Sequence, residues 1–111
     1  MSRDRRKGTE RRKELRIGVD AEVGWSIDGT PMTGRLSDMS LAGCFILTAG
    51  VFADGDRVKI YFPNKGGSPI EIVGEIRNHV YEIGFGVGFT DLTEFHKEFL
   101  RAFAEAHYKF R

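Results

Sequence analysis

Strict alternation of apolar and polar residues limits the folds open to this chain more than any other feature. From Val19 to Ile27 every second residue is apolar, and the residues between them are polar or glycine. Side chains of a β-strand point alternately to its two faces, so this pattern predicts a strand with one buried face. The dipeptide Asp28-Gly29 follows directly, and it is among the strongest sequence signals for a tight turn between antiparallel strands.

Five further segments are predicted to be short strands separated by turn residues. The second strand is placed at about residues 31–40 and the third at about residues 44–48. The turns on either side of the fourth strand contain the stretches ADGD, residues 53–56, and PNKGGS, residues 63–68. Apolar positions mark the last three strands: Val58, Ile60 and Phe62; Ile70, Ile72 and Ile76; and Ile83, Phe85, Val87 and Phe89, which alternate with glycines.

The apolar period changes to that of a helix after the last strand. Helical spacing relates the apolar residues Phe95, Phe99, Phe103, Ala106 and Phe110. This spacing predicts an amphipathic helix at about residues 93–110, and Asp91 with Glu94 resembles a capping box at its start. We therefore predict a mainly β fold, a six-stranded antiparallel β-barrel with a C-terminal amphipathic α-helix packed on its outside or across one end.

The composition is that of one globular domain, with 111 residues, 41% of them hydrophobic and 30% charged. No apolar run approaches the roughly 18 residues of a membrane span, and the charged first residues lack the apolar segment of a secretory signal. The single cysteine, Cys44, forms neither an internal disulfide nor a CxxC metal site. These features favour a cytoplasmic location.

The charge is distributed unevenly along the chain. Residues 1–16, here termed the basic arm, carry eight Lys or Arg and three Asp or Glu, whereas the remaining residues carry nine and thirteen. Residues 1–10 are polar and without apolar periodicity, so we expect a flexible tail there and the barrel domain over residues 11–111. An anionic ligand is expected to bind the arm rather than the acidic body.

The chain has no motif that indicates catalysis or metal binding. His96 and His107 lie eleven residues apart on the predicted helix, or about 16 Å, which is too far to share an ion. The glycines of GFGVGF occupy every second position of a strand, unlike a dinucleotide-binding loop, and leave one strand face bare for a neighbouring backbone or ring. Cys44 is predicted to be a buried core residue rather than a reactive thiol. We expect no enzymatic activity, cofactor or metal.

Two short motifs carry a resemblance to a known family. The stretch RKELR has Arg12 and Arg16 in RxxxR spacing, and DMSLAG has Asp38, Ser40 and Gly43 in DxSxxG spacing. Together with the strand pattern, the terminal helix and the late GFGVGFTDL, they make residues 10–92 resemble the PilZ domain family, receptors for bis-(3′-5′)-cyclic dimeric GMP. The family's fold, a six-stranded antiparallel barrel with a C-terminal helix, agrees with the fold predicted from periodicity.

The resemblance implies a role for each motif residue. Arg12 and Arg16 would bind the O6 and N7 acceptors of a guanine bidentately or pair with a phosphate. Asp38 would accept hydrogen bonds from guanine N1–H and N2–H₂. Ser40 would project from the same strand face as Asp38 and contact the ligand or position Asp38. Gly43 is expected in the turn, where a positive φ permits close approach of the ligand.

Two more arginines are candidates for the same site. Arg11 adds a positive charge beside the RxxxR motif and is expected to reach a phosphate. Arg77, with Glu75 and His79, is predicted on the polar outer face of the fifth strand, from which it would stack on a second guanine.

Two other classes of function use the same basic arm. A barrel that binds RNA or single-stranded DNA needs exposed aromatic rings for base stacking, whereas Phe45, Phe62, Phe85 and Phe89 are all predicted in apolar stripes. A protein-interaction domain would hold an acidic partner with the arm. The favoured prediction is cyclic dimeric GMP as ligand, no nucleic-acid polymer, and an unidentified downstream protein that is signalled by ordering of the arm.

Overall fold

The computed structural model describes residues 16–110 and shows six antiparallel strands in a closed barrel, followed by a helix. The elements are β1 (Ile17–Ile27), β2 (Thr30–Met39), β3 (Gly43–Leu47), β4 (Arg57–Phe62), β5 (Ile70–Val80), β6 (Gly84–Phe89) and α1 (Glu94–Ala106). The predicted fold class is confirmed. Arg11 and Arg12 lie outside the described residues. Within them, the helix is too short and too polar to cross a membrane.

The strands follow one another around the barrel in the order β1–β2–β3–β6–β5–β4, and β4 pairs back onto β1. The predicted hairpin joins β1 to β2, where Asp28 and Gly29 have φ values of 64° and 84° and Ile27 pairs with Thr30. Two positive φ angles are what a two-residue type I′ turn requires. Pairing of β3 with β6 places the motif residues at the start of β3 beside the end of the glycine-rich strand.

Inward-facing residues of all six strands form one apolar core. Val19, Val23 and Trp25 are buried as the alternation predicts, and so is Cys44. Burial also raises the pKa of the Cys44 thiol, which keeps it protonated and unreactive. The prediction for Ile83 was wrong, because this residue lies in the turn before β6 and is 52% exposed.

The helix packs across one end of the barrel. Leu100 and Phe103 are its buried residues. The ring of Phe62, at the end of β4, contacts the rings of Phe99 and Phe103 at centroid distances of 6.1 and 5.2 Å. Phe95, which the apolar spacing placed on the packed face, is instead 61% exposed. The packed face is therefore narrower than the sequence pattern indicated.

Both ends of the helix differ from the prediction. Thr93 is the N-cap, and its hydroxyl accepts a hydrogen bond from the His96 amide while His96 Nδ1 accepts one from the Thr93 amide, both at 3.1 Å. The reciprocal pair replaces the predicted pair of Asp91 and Glu94. At the other end α1 stops at Ala106 rather than near residue 110, because the residues after it bond to the start of β1.

Candidate ligand-binding site

A bulge in β2 turns Asp38 to the outside of the barrel. Leu36 and Asp38 pair with consecutive residues of β3, so Ser37 is one extra residue in β2. Leu36 and Met39 are 0% and 1% exposed, and both therefore face the core. The two residues between them lie on the outer face, which gives Asp38 access to solvent and ligand.

Arg16 and Asp38 form an ion pair. Arg16 Nη1 donates to Asp38 Oδ1 at 2.7 Å, and the two side chains are 47% and 36% exposed. The contact follows from strand pairing, because Gly18 in β1 pairs with Asp38 and Arg16 comes two residues earlier. An ion pair this exposed contributes at most about 1 kcal/mol to stability. A ligand can therefore replace it at little cost.

Ser40 and Gly43 build the turn between β2 and β3. Ser40 Oγ accepts hydrogen bonds from the amides of Ala42 and Gly43 at 2.9 and 3.3 Å, and the Ser40 amide donates to the Gly43 carbonyl at 2.8 Å. Ser40 follows the last residue of β2, so the prediction that it shares a strand face with Asp38 was wrong. Its hydroxyl fixes the turn beside Asp38 instead.

The absence of a side chain at Gly43 serves strand packing. The positive φ predicted for Gly43 was wrong, since the positive-φ glycines of the described residues are Gly29, Gly50, Gly55 and Gly66. A Cβ at Gly43 would collide with the backbone carbonyl of Val87 in β6. Gly43 thus allows β3 and β6 to approach at the point where the turn meets the barrel.

A second bulge, in β5, turns Arg77 outward. Ile76 and Asn78 pair with the consecutive β6 residues Val87 and Gly86, which leaves Arg77 as the extra residue. Arg77 and Glu75 lie on the outer face as predicted, with a loose 3.9 Å ion pair between them. The prediction for His79 was wrong. The bulge reverses the alternation, and the His79 ring faces inward against Phe52 at a centroid distance of 5.6 Å.

The bare glycine face of β6 forms the floor of a cleft. Arg77 lies over Gly88, with Nε 2.7 Å from the position of a Cβ there, and Asn78 lies over Gly86 with Oδ1 at 2.6 Å from the equivalent point. The cleft, of about 410 Å³, is lined by Arg16, Ala42, Arg77, Asn78, Gly86, Val87, Gly88 and Phe89. The structure therefore brings Arg16 and Arg77 to one cleft, with Asp38 and the Ser40–Gly43 turn at its edge.

Sequence reasoning missed two residues beside this cleft. Asn78 Oδ1 accepts a hydrogen bond from the Gly86 amide at 3.2 Å. Phe45, predicted in an apolar stripe, lies half-buried on the outer face, because its neighbours Cys44 and Ile46 both face the core. Because Phe45 lies between the apolar residues Cys44 and Ile46, strand alternation could have predicted that it faces outward. No feature of the sequence predicts the bulge that exposes Asn78.

Two slightly larger clefts, of about 510 and 460 Å³, are poorer candidates for an anionic ligand. The larger one is lined by Asp28 and Asp56 together with Arg57 and Lys59, so its charged side chains balance. The other is lined by Asp28 and Asp56 without a Lys or Arg, so neither cleft offers an excess of positive charge. Residues 16–110 also contain no group of three or more His, Cys, Asp or Glu side chains placed to hold a metal ion. The cleft between Arg16 and Arg77 is the best-supported site for a negatively charged molecule.

Comparisons with known proteins identify the family and the fold of this chain. The family model described as PilZ domain matches residues 10–106. The PilZ domain of CeSA from a cellulose-synthesizing bacterium is 18% identical, with a TM-score of 0.63 over 84% of this chain and 99% of that one. PlzA of Borreliella burgdorferi, solved in complex with c-di-GMP, is 14% identical with a TM-score of 0.66, and the match covers 88% of this chain but 43% of PlzA. A comparison with curated proteins gave no match. At these identities the two structures demonstrate a shared fold.

Proposed function

This chain belongs to the PilZ domain family, and on that premise we propose that it is a cytoplasmic receptor for bis-(3′-5′)-cyclic dimeric GMP. The observation that carries the proposal is the pairing of Arg16 with Asp38 beside a cleft that also contains Arg77. The complex of PlzA, a protein of the same fold, with this dinucleotide supports the choice of ligand.

The chemistry of the two paired side chains suits guanine. The guanidinium of Arg16 has a planar fork of donors that fits O6 and N7 of the base, or a phosphate oxygen. The carboxylate of Asp38 accepts from N1–H and N2–H₂, which arginine cannot do. Because the two groups already lie 2.7 Å apart and are partly exposed, a guanine can take over their contacts with small movements.

Three further arginines belong to the proposed site: Arg77, Arg12 and Arg11. Arg77 is 62% exposed and its 3.9 Å ion pair with Glu75 is weak, so its guanidinium is available to stack on a second guanine or to pair with a phosphate. Arg12 and Arg11 would supply two further cations from the arm. The cations offset the two negative charges of the ligand, and the proposal includes no catalytic step.

We further propose that ligand binding orders residues 11–16 and that this change is passed to a downstream protein. A dianion between Arg16 and Asp38 gives the arginines of the arm fixed partners, which offsets the entropy lost on ordering. The barrel domain, residues 11–111, would then act as a binding module whose output depends on the partner.

Calorimetric titration with cyclic dimeric GMP tests the proposed function. We expect Arg16→Ala to weaken binding by more than about tenfold, because a charge-assisted bidentate contact is worth roughly 1–3 kcal/mol. Arg35→Ala is the matched control, since Arg35 forms a comparably exposed 2.7 Å pair with Asp20 across β1 and β2 and does not line the cleft. No binding by the wild-type protein, or equal losses in the two variants, would contradict the proposal.

The same titration in the presence of excess RNA oligonucleotide separates the receptor from a nucleic-acid-binding barrel. We expect the affinity for the dinucleotide to be unchanged by RNA at moderate salt, because the body of the protein carries net negative charge. Efficient displacement by RNA would favour the nucleic-acid-binding barrel.

A further inference from the structure

One row of paired residues crosses the outer face of the barrel beside the proposed site. Asp38 in β2 pairs with Phe45 in β3, Phe45 with Gly86 in β6, and Gly86 with Asn78 in β5. Neighbouring strands lie about 4.8 Å apart, so Asp38 and Asn78 are separated by roughly 14 Å along this row. That distance exceeds the width of one purine, and the row has room for contacts with a second base.

Gly86 brings the ring of Phe45 close to Asn78. The nearest ring carbon of Phe45 is 3.6 Å from the position of a Cβ on Gly86, and Asn78 Oδ1 is 2.6 Å from the same point. The two side chains therefore approach each other over the glycine. Phe45 is only half-buried on the outer face of β3, so part of its ring is accessible beside the cleft, and an accessible aromatic ring is a stacking surface for a base.

The hydrogen bond from Gly86 sets the orientation of the Asn78 amide. Oδ1 accepts from the Gly86 backbone N–H at 3.2 Å, so the NH₂ group is the end left for a ligand. One of its N–H donors can bond to O6 or N7, the two acceptors on one edge of guanine. Asn78 also lines the cleft shared by Arg16 and Arg77.

We propose that Phe45 and Asn78 form a subsite for one guanine of the dinucleotide, whose other guanine binds Arg16 and Asp38. The Phe45 ring packs against the face of the base, and the Asn78 NH₂ group donates to O6 or N7. The inference rests on the proposed function, since it assigns a place to the second base of the same ligand. Phe45 and Asn78 lie outside both sequence motifs and are positioned by strand pairing and by the β5 bulge.

Two substitutions of Phe45 distinguish its proposed stacking on a base from its structural role of covering Gly86. Phe45→Tyr keeps the flat ring, whereas Phe45→Leu keeps an apolar cover for Gly86 without an aromatic face. We expect Phe45→Tyr to bind cyclic dimeric GMP as the wild type does and Phe45→Leu to bind at least about fivefold more weakly. The melting temperature of each variant without ligand shows that the barrel is intact.

Asn78→Asp tests the donor while preserving the structural hydrogen bond, because a carboxylate oxygen still accepts from the Gly86 amide. Guanine presents only acceptors on this edge and adenine adds the N6–H₂ donor, so the substitution should reduce the preference for cyclic dimeric GMP over cyclic dimeric AMP about tenfold. Asn64→Asp, in the turn between β4 and β5, introduces the same charge away from the cleft and should leave the ratio unchanged.

The outcomes separate this inference from the proposed function. Suppose that the wild-type protein binds in a way that depends on Arg16, while Phe45→Leu and Asn78→Asp keep wild-type affinity and base preference. This result would overturn the Phe45–Asn78 subsite alone. Failure of the wild-type protein to bind the dinucleotide would overturn both. The result that supports the subsite is a preference shift in Asn78→Asp together with weaker binding by Phe45→Leu and wild-type affinity in Phe45→Tyr.

Discussion

At the scale of single residues, the DxSxxG motif combines a proposed ligand contact at Asp38 with structural roles for Ser40 and Gly43. Asp38 is on the outer surface and paired to Arg16, as a binding residue should be. Ser40 is only 8% exposed, and its hydroxyl accepts two backbone amides of the following turn. Gly43 is required by the close approach of β6. Two of the three motif residues therefore fix the shape of the turn and the approach of the strands.

We predict that Ser40→Ala lowers the free energy of unfolding by roughly 1–2 kcal/mol, since the amides of Ala42 and Gly43 lose their acceptor. Urea denaturation of the ligand-free protein measures this loss. Ser37→Ala is the matched control, because it removes a hydroxyl from the outer face of β2, the strand that leads into this turn. Weakened ligand binding with unchanged stability would assign the Ser40 hydroxyl to the ligand and contradict its structural role.

At the scale of secondary-structure elements, two bulges decide which residues reach the site. Each inserts one residue, at Ser37 in β2 and at Arg77 in β5, and each places two successive side chains on the outer face. Regular strands would direct either Arg77 or Asn78 into the core. The bulges therefore bring two neighbouring polar groups of β5 to one cleft, where both lie over the glycines of β6.

The start of the helix gives a prediction at the same scale. Thr93→Ala should reduce stability by about 0.5–2 kcal/mol, because the His96 amide loses the hydroxyl that caps it. Thr93→Ser keeps an acceptor at this position and is expected to retain most of the wild-type stability. Thermal or urea denaturation of the three proteins provides the comparison. Equal stability of the alanine variant and the wild type would show that the cap contributes nothing.

At the scale of the whole molecule, the closed barrel is a rigid platform next to the arm. Each strand has a paired neighbour on both sides, so no strand edge is left open. Ligand binding on the outer face requires no repacking of the core beneath. We therefore expect the conformational signal in residues 11–16, which contain the RxxxR motif and lead directly into β1.

We predict that cyclic dimeric GMP slows amide hydrogen exchange at residues 11–16 and leaves exchange in β4 unchanged. The reason is that the arginines of this segment acquire fixed partners on the ligand, whereas no residue of β4 lines the cleft. Exchange measured with and without ligand provides the test. The same exchange rates at residues 11–16 in both states would show that the arm does not carry the signal.

The sequence by itself determined the number of strands, the first hairpin and the resemblance to the PilZ domain family. Alternation of side chains is a local property of the strand, and the Asp28-Gly29 turn depends on two backbone conformations that these residues adopt readily. The motif residues Arg16 and Asp38 could be singled out because RxxxR followed by DxSxxG resembles the motifs of the PilZ domain family. The helix was predicted from its period, although Thr93 was missed as the cap because His96 is an unusual capping-box partner.

Only the tertiary structure decided how these parts form a site. The order of strands places β3 next to β6, which joins Phe45, Gly86 and Asn78 in one row, and no local signal encodes that pairing. The bulges shift the alternation by one residue, so His79 faces inward while Asn78 faces out. A one-residue shift exchanges the two faces of a strand, and its energy comes from packing between strands rather than from the residues within one.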